Sequence, residues 1–195
     1  MGLSMSAVDS AIEYIQQLFK AKADGHGVDH TMRVYHNALG IAAHYEGCDT
    51  ELVSLAALLH DADDHKLFDT KDNANARSFL YTQSMDEDRI RCICDIINAV
   101  SFSKNKGRSP ETIEGKIVQD ADRLDAMGAI GIARTFAYGG RAGRDLESSV
   151  SHFHEKLLLL KDMMNTKEAR EIAEERHRFM EEFLDELNRE IYDKT

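Results

Sequence analysis

A single proline in 195 residues, with apolar residues recurring three and four positions apart, leaves this chain little to fold into but helices. β-Branched runs are few, so strands find no clear place. Val8, Ile12, Ile15 and Phe19 form one apolar stripe at helical spacing. Leu52, Leu55, Ala56 and Leu59 form a second, which ends at His60. The glycine-containing segment 24–29 breaks the pattern, and the next helix begins near His30 and runs toward Tyr45. Another carries Ile90, Ile93, Ile97 and Val100. The segment 103–108 then reads as a loop, and Ser109 and Pro110 suit the N-cap and first position of a helix through Ile113, Ile117, Val118 and Ala121. Three glycines between Tyr138 and Gly143 mark a flexible loop. Two helices close the chain, one through Leu157 to Met164 and one from an N-cap at Thr166 along Ile172, Phe179, Met180, Phe183 and Leu187. The expected class is all-α, and the length suits one domain.

Composition narrows what such a bundle can do. With 43% hydrophobic and 30% charged residues the chain is globular, and no run approaches the roughly 18 apolar residues that a membrane span needs. The first nine residues lack the basic start and apolar stretch of a signal peptide, so a soluble, cytoplasmic protein is expected. The three cysteines agree, because an odd number with Cys92 and Cys94 on different faces of one helix makes a poor disulfide framework. A formal net charge of −11 repels a polyanion and argues against binding a nucleic-acid polymer. A small anionic substrate meets no such barrier where a bound cation and a few basic residues set the local field.

The chemistry-bearing residues sit where a structural helix would not need them. His60 and Asp61 directly follow the apolar stripe, where glycine or a basic residue more naturally ends a helix. Adjacent helical side chains diverge by about 100°, so both reach one ion only if it lies over the helix end between them. Asp120, Asp122 and Asp125 fall on or beside an apolar helix, where their charge needs compensation that a divalent cation supplies. Arg123 is placed to neutralise a carboxylate that is not a ligand. His26 and His30 flank a Gly-Val-Asp turn, and Arg33 follows His30 on the same face.

The order His30, then His60-Asp61, then Asp122 resembles the HD-domain superfamily of metal-dependent phosphohydrolases. The stretch Gly-His-Gly-Val-Asp-His-Thr-Met-Arg-Val over 25–34, Leu-Leu-His-Asp over 58–61, and the run from Val118 to Arg134 look like the small bacterial HD hydrolases that include nucleotide pyrophosphatases. The resemblance covers nearly the whole chain. It implies an HD-domain, phosphodiesterase-like helical bundle over 1–195, with a core at about 26–126 and C-terminal helices packed on it. It also implies His30, His60, Asp61 and Asp122 as ligands of one divalent ion. No histidine lies between His65 and His152, whereas dinuclear HD proteins carry further histidines in the corresponding interval, so a mononuclear centre is expected. Mixed nitrogen and oxygen donors suit Mn²⁺, Mg²⁺, Co²⁺, Ni²⁺ or Fe²⁺.

The expected reaction is hydrolysis of a phosphate ester or anhydride by a metal-activated water, with a nucleotide as the small phosphorylated substrate. Asp64 or His65 would orient that water or accept its proton; Asp64 is preferred and Asp63 is an alternative. Arg33 and Lys66 are the leading phosphate-binding residues. Lys104, Lys106 and Arg108 in one loop, and Arg141 and Arg144 in another, are candidates for more distant phosphates, with His26 and Arg123 also near the site. His152 and His154 read as structural or surface residues, and Tyr35, Tyr81 and Tyr138 are packing residues or base-stacking candidates. Two rival readings stand beside this one: a non-catalytic nucleotide- and metal-binding signalling module, and a diiron oxygenase on the same scaffold. The sequence leaves the oligomeric state open.

Overall fold

A computed structural model describes residues 5–20, 27–100 and 108–192; every described element is helical. His26, Lys104 and Lys106 lie outside the described residues, as do the first half of the break expected at 24–29 and all but Arg108 of the one expected at 103–108. By their internal contacts the residues form two compact units, 1–121 and 122–195, with the division falling inside one continuous helix.

The first unit holds α1 (Ala7–Leu18), α2 (Val28–Ala42), α3 (Thr50–Leu59), α4 (Ala74–Thr82), α5 (Glu87–Val100) and most of α6 (Ile113–Asp125). Its centre is α3, which packs against α1, α2 and α5. The sequence pattern shows one apolar stripe on this helix, yet all seven residues from Val53 to Leu59 are buried. A helix apolar on every side has to be surrounded. Ser54 tolerates this because its hydroxyl donates to the Thr50 carbonyl at 2.6 Å. Leu55, Leu58 and Leu59 are fully buried, and each stabilises the fold by about 1.5–3 kcal/mol relative to exposure. The N-cap is Asp49, which accepts from the Leu52 amide at 2.9 Å and is gripped by Arg89 of α5. The rigid helix therefore delivers His60 at a fixed place.

The second unit follows α6 with α7 (Gly128–Arg141), α8 (Leu146–His152), a π-helical turn (Phe153–Leu157), a 3₁₀ segment (Leu158–Met163) and α9 (Lys167–Tyr192). Phe136 anchors it, with its ring 5.9 Å from that of Phe153 and 5.8 Å from that of Phe183. Thr166 caps α9 as expected, accepting from the Ala169 amide at 3.3 Å.

Three local expectations are corrected. The helix expected from Ser109 and Pro110 starts three residues later, because Thr112 caps it, its hydroxyl accepting from the Gly115 amide at 3.1 Å. Tyr138 to Arg141 belong to the last turn of α7 and are not a loop. Gly139 serves packing there: a Cβ on it would stand 2.5 Å from Ser149 Oγ, so the bare backbone admits α8. The helix from Leu157 to Met164 is a tightened 3₁₀ continuation of α8, reached through the π-turn.

Candidate metal centre

The final turn of α3 sets the first donor. His60 keeps helical backbone angles (φ −60°, ψ −32°), and its Nδ1 lies 2.8 Å from the carbonyl oxygen of Ala57. A carbonyl only accepts, so Nδ1 carries the hydrogen and Nε2 is left with a lone pair. His30 projects from the first turn of α2 and is 3% exposed. Its Nε2 stands 3.3 Å from that of His60, with the rings edge-on at 5.2 Å between centroids. Asp61 Oδ2 lies 3.5 Å from each of the two Nε2 atoms.

Three atoms separated by 3.3, 3.5 and 3.5 Å share a centre about 2.0 Å from each, the bond length of imidazole nitrogen or carboxylate oxygen to a first-row divalent ion. Asp122 joins them, since one donor atom each from His30, His60 and Asp122 lies within 4.8 Å of the others. It sits one residue past Ala121 on the unbroken helix α6. Two imidazole lone pairs and two carboxylates crowded together repel one another unless a cation or protons intervene. Nitrogen and oxygen donors in this mixture fit a divalent transition ion or Mg²⁺.

Beyond α3 the chain runs through successive tight turns. The amide of Ala62 donates to Leu59, that of Asp64 to Asp61, and those of Leu67 and Phe68 both to Asp64. Asp64 Oδ1 accepts from the Lys66 amide at 2.8 Å and lies 3.7 Å from His65 Nδ1, while its Oδ2 has no partner among the described residues. His65 and Lys66 are exposed on the same turn. Asp63 is engaged differently: its two oxygens accept from the backbone amides of Asn75 and Ala76 at 2.9 and 3.0 Å. The sequence gives no sign of that role, because partner and acceptor are twelve or more residues apart.

The remaining candidates divide. Arg33 is half-buried on α2, one turn after His30. Arg123 is 5% exposed and its guanidinium donates to the Met163 carbonyl, an anchoring position within the second unit. Asp125 is buried and paired with Arg134, while Asp120 is fully buried. Arg141 is exposed at the end of α7, and Arg144 stacks over the ring of Tyr138, 5.2 Å from its centroid. Arg108 is exposed, and its carbonyl accepts from Gln119 Nε2 at 2.9 Å. Tyr81 is exposed and donates to Glu87. His154 is exposed, and His152 is half-buried, where burial pushes its pKa down, helped by Lys156 and Arg144.

Residues 27–127 match the HD domain family. The Bacillus subtilis protein YpgQ is 42% identical over 189 residues, which span 91% of this chain and 90% of YpgQ. The crystal structure of B. subtilis YpgQ in complex with ADP superposes with a TM-score of 0.77 at 38% identity, covering 94% of this chain and 98% of that one. An HD-superfamily hydrolase from Bacillus thuringiensis superposes with a TM-score of 0.79 at 38% identity, covering 96% and 97%.

Proposed function

This chain belongs to the HD-domain family, and we propose that it is a phosphohydrolase that cleaves a small phosphate ester or anhydride, with a nucleotide as its substrate class. The observation that carries the reading is the triangle of His30 Nε2, His60 Nε2 and Asp61 Oδ2, whose centre stands at bonding distance from all three atoms. Asp122 adds the fourth donor. Together they hold one divalent ion, of which Mn²⁺, Mg²⁺, Co²⁺, Ni²⁺ and Fe²⁺ all suit the donor set. When bound, such an ion supplies Lewis acidity to a phosphoryl oxygen and brings the pKa of water near neutrality.

The protein's own side chains do the rest. The Ala57 carbonyl fixes the tautomer of His60, so the ring cannot turn its lone pair away. Asp64 is held by the Lys66 amide through one oxygen, which aims the other for proton transfer. Arg33 and Lys66 offer charge to the phosphoryl oxygens, which grow more negative as the bond breaks. The ADP in the crystal structure of the B. subtilis relative supports a nucleotide as the ligand class.

The test is a panel of nucleoside mono-, di- and triphosphates incubated with protein and each of the five ions in turn, products being identified by mass. The expected result is release of phosphate or pyrophosphate from at least one nucleotide, lost in His60→Ala. Equal release by His60→Ala, or none from any nucleotide with any of the five ions, contradicts the reading.

A further inference from the structure

α4 begins badly by its own sequence. Its N-cap, Asn73, stands in the left-handed region (φ 55°, ψ 42°) and makes no side-chain capping bond; Asp72 before it is left-handed too (φ 55°). The first amides of a helix have no partners within it, and here its own cap does not serve them. The missing acceptor arrives from another segment: Asp63 Oδ1 takes the Asn75 amide at 2.9 Å and Oδ2 takes the Ala76 amide at 3.0 Å. A carboxylate at that end also meets the positive pole of the helix dipole.

The tie is doubled and then buttressed. Asn75 Nδ2 donates back to the Ala62 carbonyl at 2.8 Å, and the Asn75 carbonyl accepts from the Tyr14 hydroxyl at 3.2 Å. Tyr14 is itself stacked on Phe79 of α4 at 4.8 Å, and burial, reinforced by the Asp63 carboxylate, pushes its pKa up. The segment clamped in this way, Ala62-Asp63, lies between Asp61, whose Oδ2 faces both imidazoles, and Asp64, whose second oxygen is unengaged among the described residues. A turn has no ladder of its own to hold side-chain directions, so whatever fixes its backbone fixes where those two carboxylates aim.

We infer that Asp63 is a positioning residue: by capping α4 from outside, with Asn75 reaching back to Ala62, it orients Asp61 toward the metal centre and Asp64 toward the reacting water. This rests on the metal-centre reading above. It removes Asp63 from the three candidate acids, since both its oxygens accept backbone hydrogens and neither is available to carry a proton without breaking the cap.

The experiment titrates metal-free protein with Mn²⁺ and then measures turnover of a hydrolysed nucleotide for wild type, Asp63→Ala, Asp63→Asn, Asn75→Ala and His60→Ala. Asp63→Ala should bind Mn²⁺ about tenfold more weakly and lose at least about tenfold in kcat with KM little changed, the size expected of an outer-shell change. Asp63→Asn keeps one acceptor and should recover part of both losses. It should also keep the acid limb of the kcat–pH profile, which a true proton acceptor at this position would forfeit. If Asp63→Ala does not fold, Asn75→Ala decides, because it cuts the tie to Ala62 while leaving the backbone cap; its Mn²⁺ affinity should fall several-fold. Unchanged Mn²⁺ affinity and kcat in both Asp63→Ala and Asn75→Ala, with only thermal stability reduced, overturns the positioning role alone, provided His60→Ala has lost the metal. Unchanged Mn²⁺ affinity in His60→Ala overturns the metal centre itself, and the positioning role falls with it.

Discussion

Two acidic runs in this protein look alike in sequence and are put to different uses. Asp61, Asp63 and Asp64 follow α3, and Asp120, Asp122 and Asp125 lie along the end of α6. In each, one carboxylate faces the histidine pair: Asp61 through Oδ2 in the first, Asp122 in the second. In each, another is engaged structurally, Asp63 by the amides of α4 and Asp125 by Arg134. The third members diverge. Asp64 sits on a turn with one oxygen unengaged among the described residues, while Asp120 is fully buried on a regular helix. Position along the chain does not decide what a carboxylate does; the groups it faces decide.

The largest expected effects separate the two classes within each run. Asp61→Asn and Asp122→Asn should each reduce the proposed phosphohydrolase activity by more than about a hundredfold, beyond what outer-shell changes give, without lowering the unfolding temperature of metal-free protein. Removing a negative charge from a crowded site relieves repulsion, so the metal-free variants should be at least as stable as wild type. A parallel loss of activity and stability would place these residues with the structural carboxylates.

Asp125→Ala should do the reverse. Its side chain is 2% exposed and pairs with Arg134, which is 27% exposed, so breaking the pair should cost about 2–3 kcal/mol, at or below the lower end of the range for a buried ion pair. Denaturant unfolding reads this directly. The joint between α6 and α7 offers a related and somewhat smaller effect. A Cβ on Gly131 would stand 2.3 Å from the Ala126 carbonyl oxygen, so Gly131→Ala should destabilise by about 1–3 kcal/mol.

The smallest effect concerns Asp49, which caps the helix that carries His60. The Arg89 guanidinium, followed by the Leu52 amide, holds its carboxyl below the usual carboxylate range against the opposing push of burial. A depressed folded pKa means that the unfolded chain binds the proton first, so this stabilisation is present above the unfolded value of about 3.9 and is lost as pH falls through the folded one. Asp49→Ala should cost about 1 kcal/mol near pH 7 and flatten the acid limb of the stability–pH curve. An unchanged acid limb would detach Asp49 from the cap.

Much of this was legible before any coordinates. The helices with amphipathic stripes, the Thr166 cap and the His30, His60-Asp61, Asp122 spacing all announce themselves through local periodicity or residue type. α4 does not, because Ala-Asn-Ala-Arg-Ser-Phe-Leu-Tyr-Thr is short, is preceded by two left-handed residues and owes its N-terminus to a distant aspartate. The glycines near 139 read as a loop because glycine signals both freedom and close packing, and only the Ser149 hydroxyl beside Gly139 tells the two apart. Asp63, Asp64 and His65 could not be separated for the same reason: three adjacent polar residues on a turn differ only in what they meet. Arg123, next to Asp122 in the sequence, donates to a backbone carbonyl forty residues away, which no local pattern announces.

The proposed chemistry depends on two imidazoles sharing one ion. Pulsed electron paramagnetic resonance on protein loaded with a single equivalent of Mn²⁺ tests this directly, because coordinated imidazole nitrogens modulate the echo of the bound ion. Modulation from two histidine nitrogens in wild type, lost in His60→Ala together with the bound ion, is the predicted result. A spectrum of fully hydrated Mn²⁺ from wild type, or nitrogen modulation that His60→Ala leaves untouched, would contradict it.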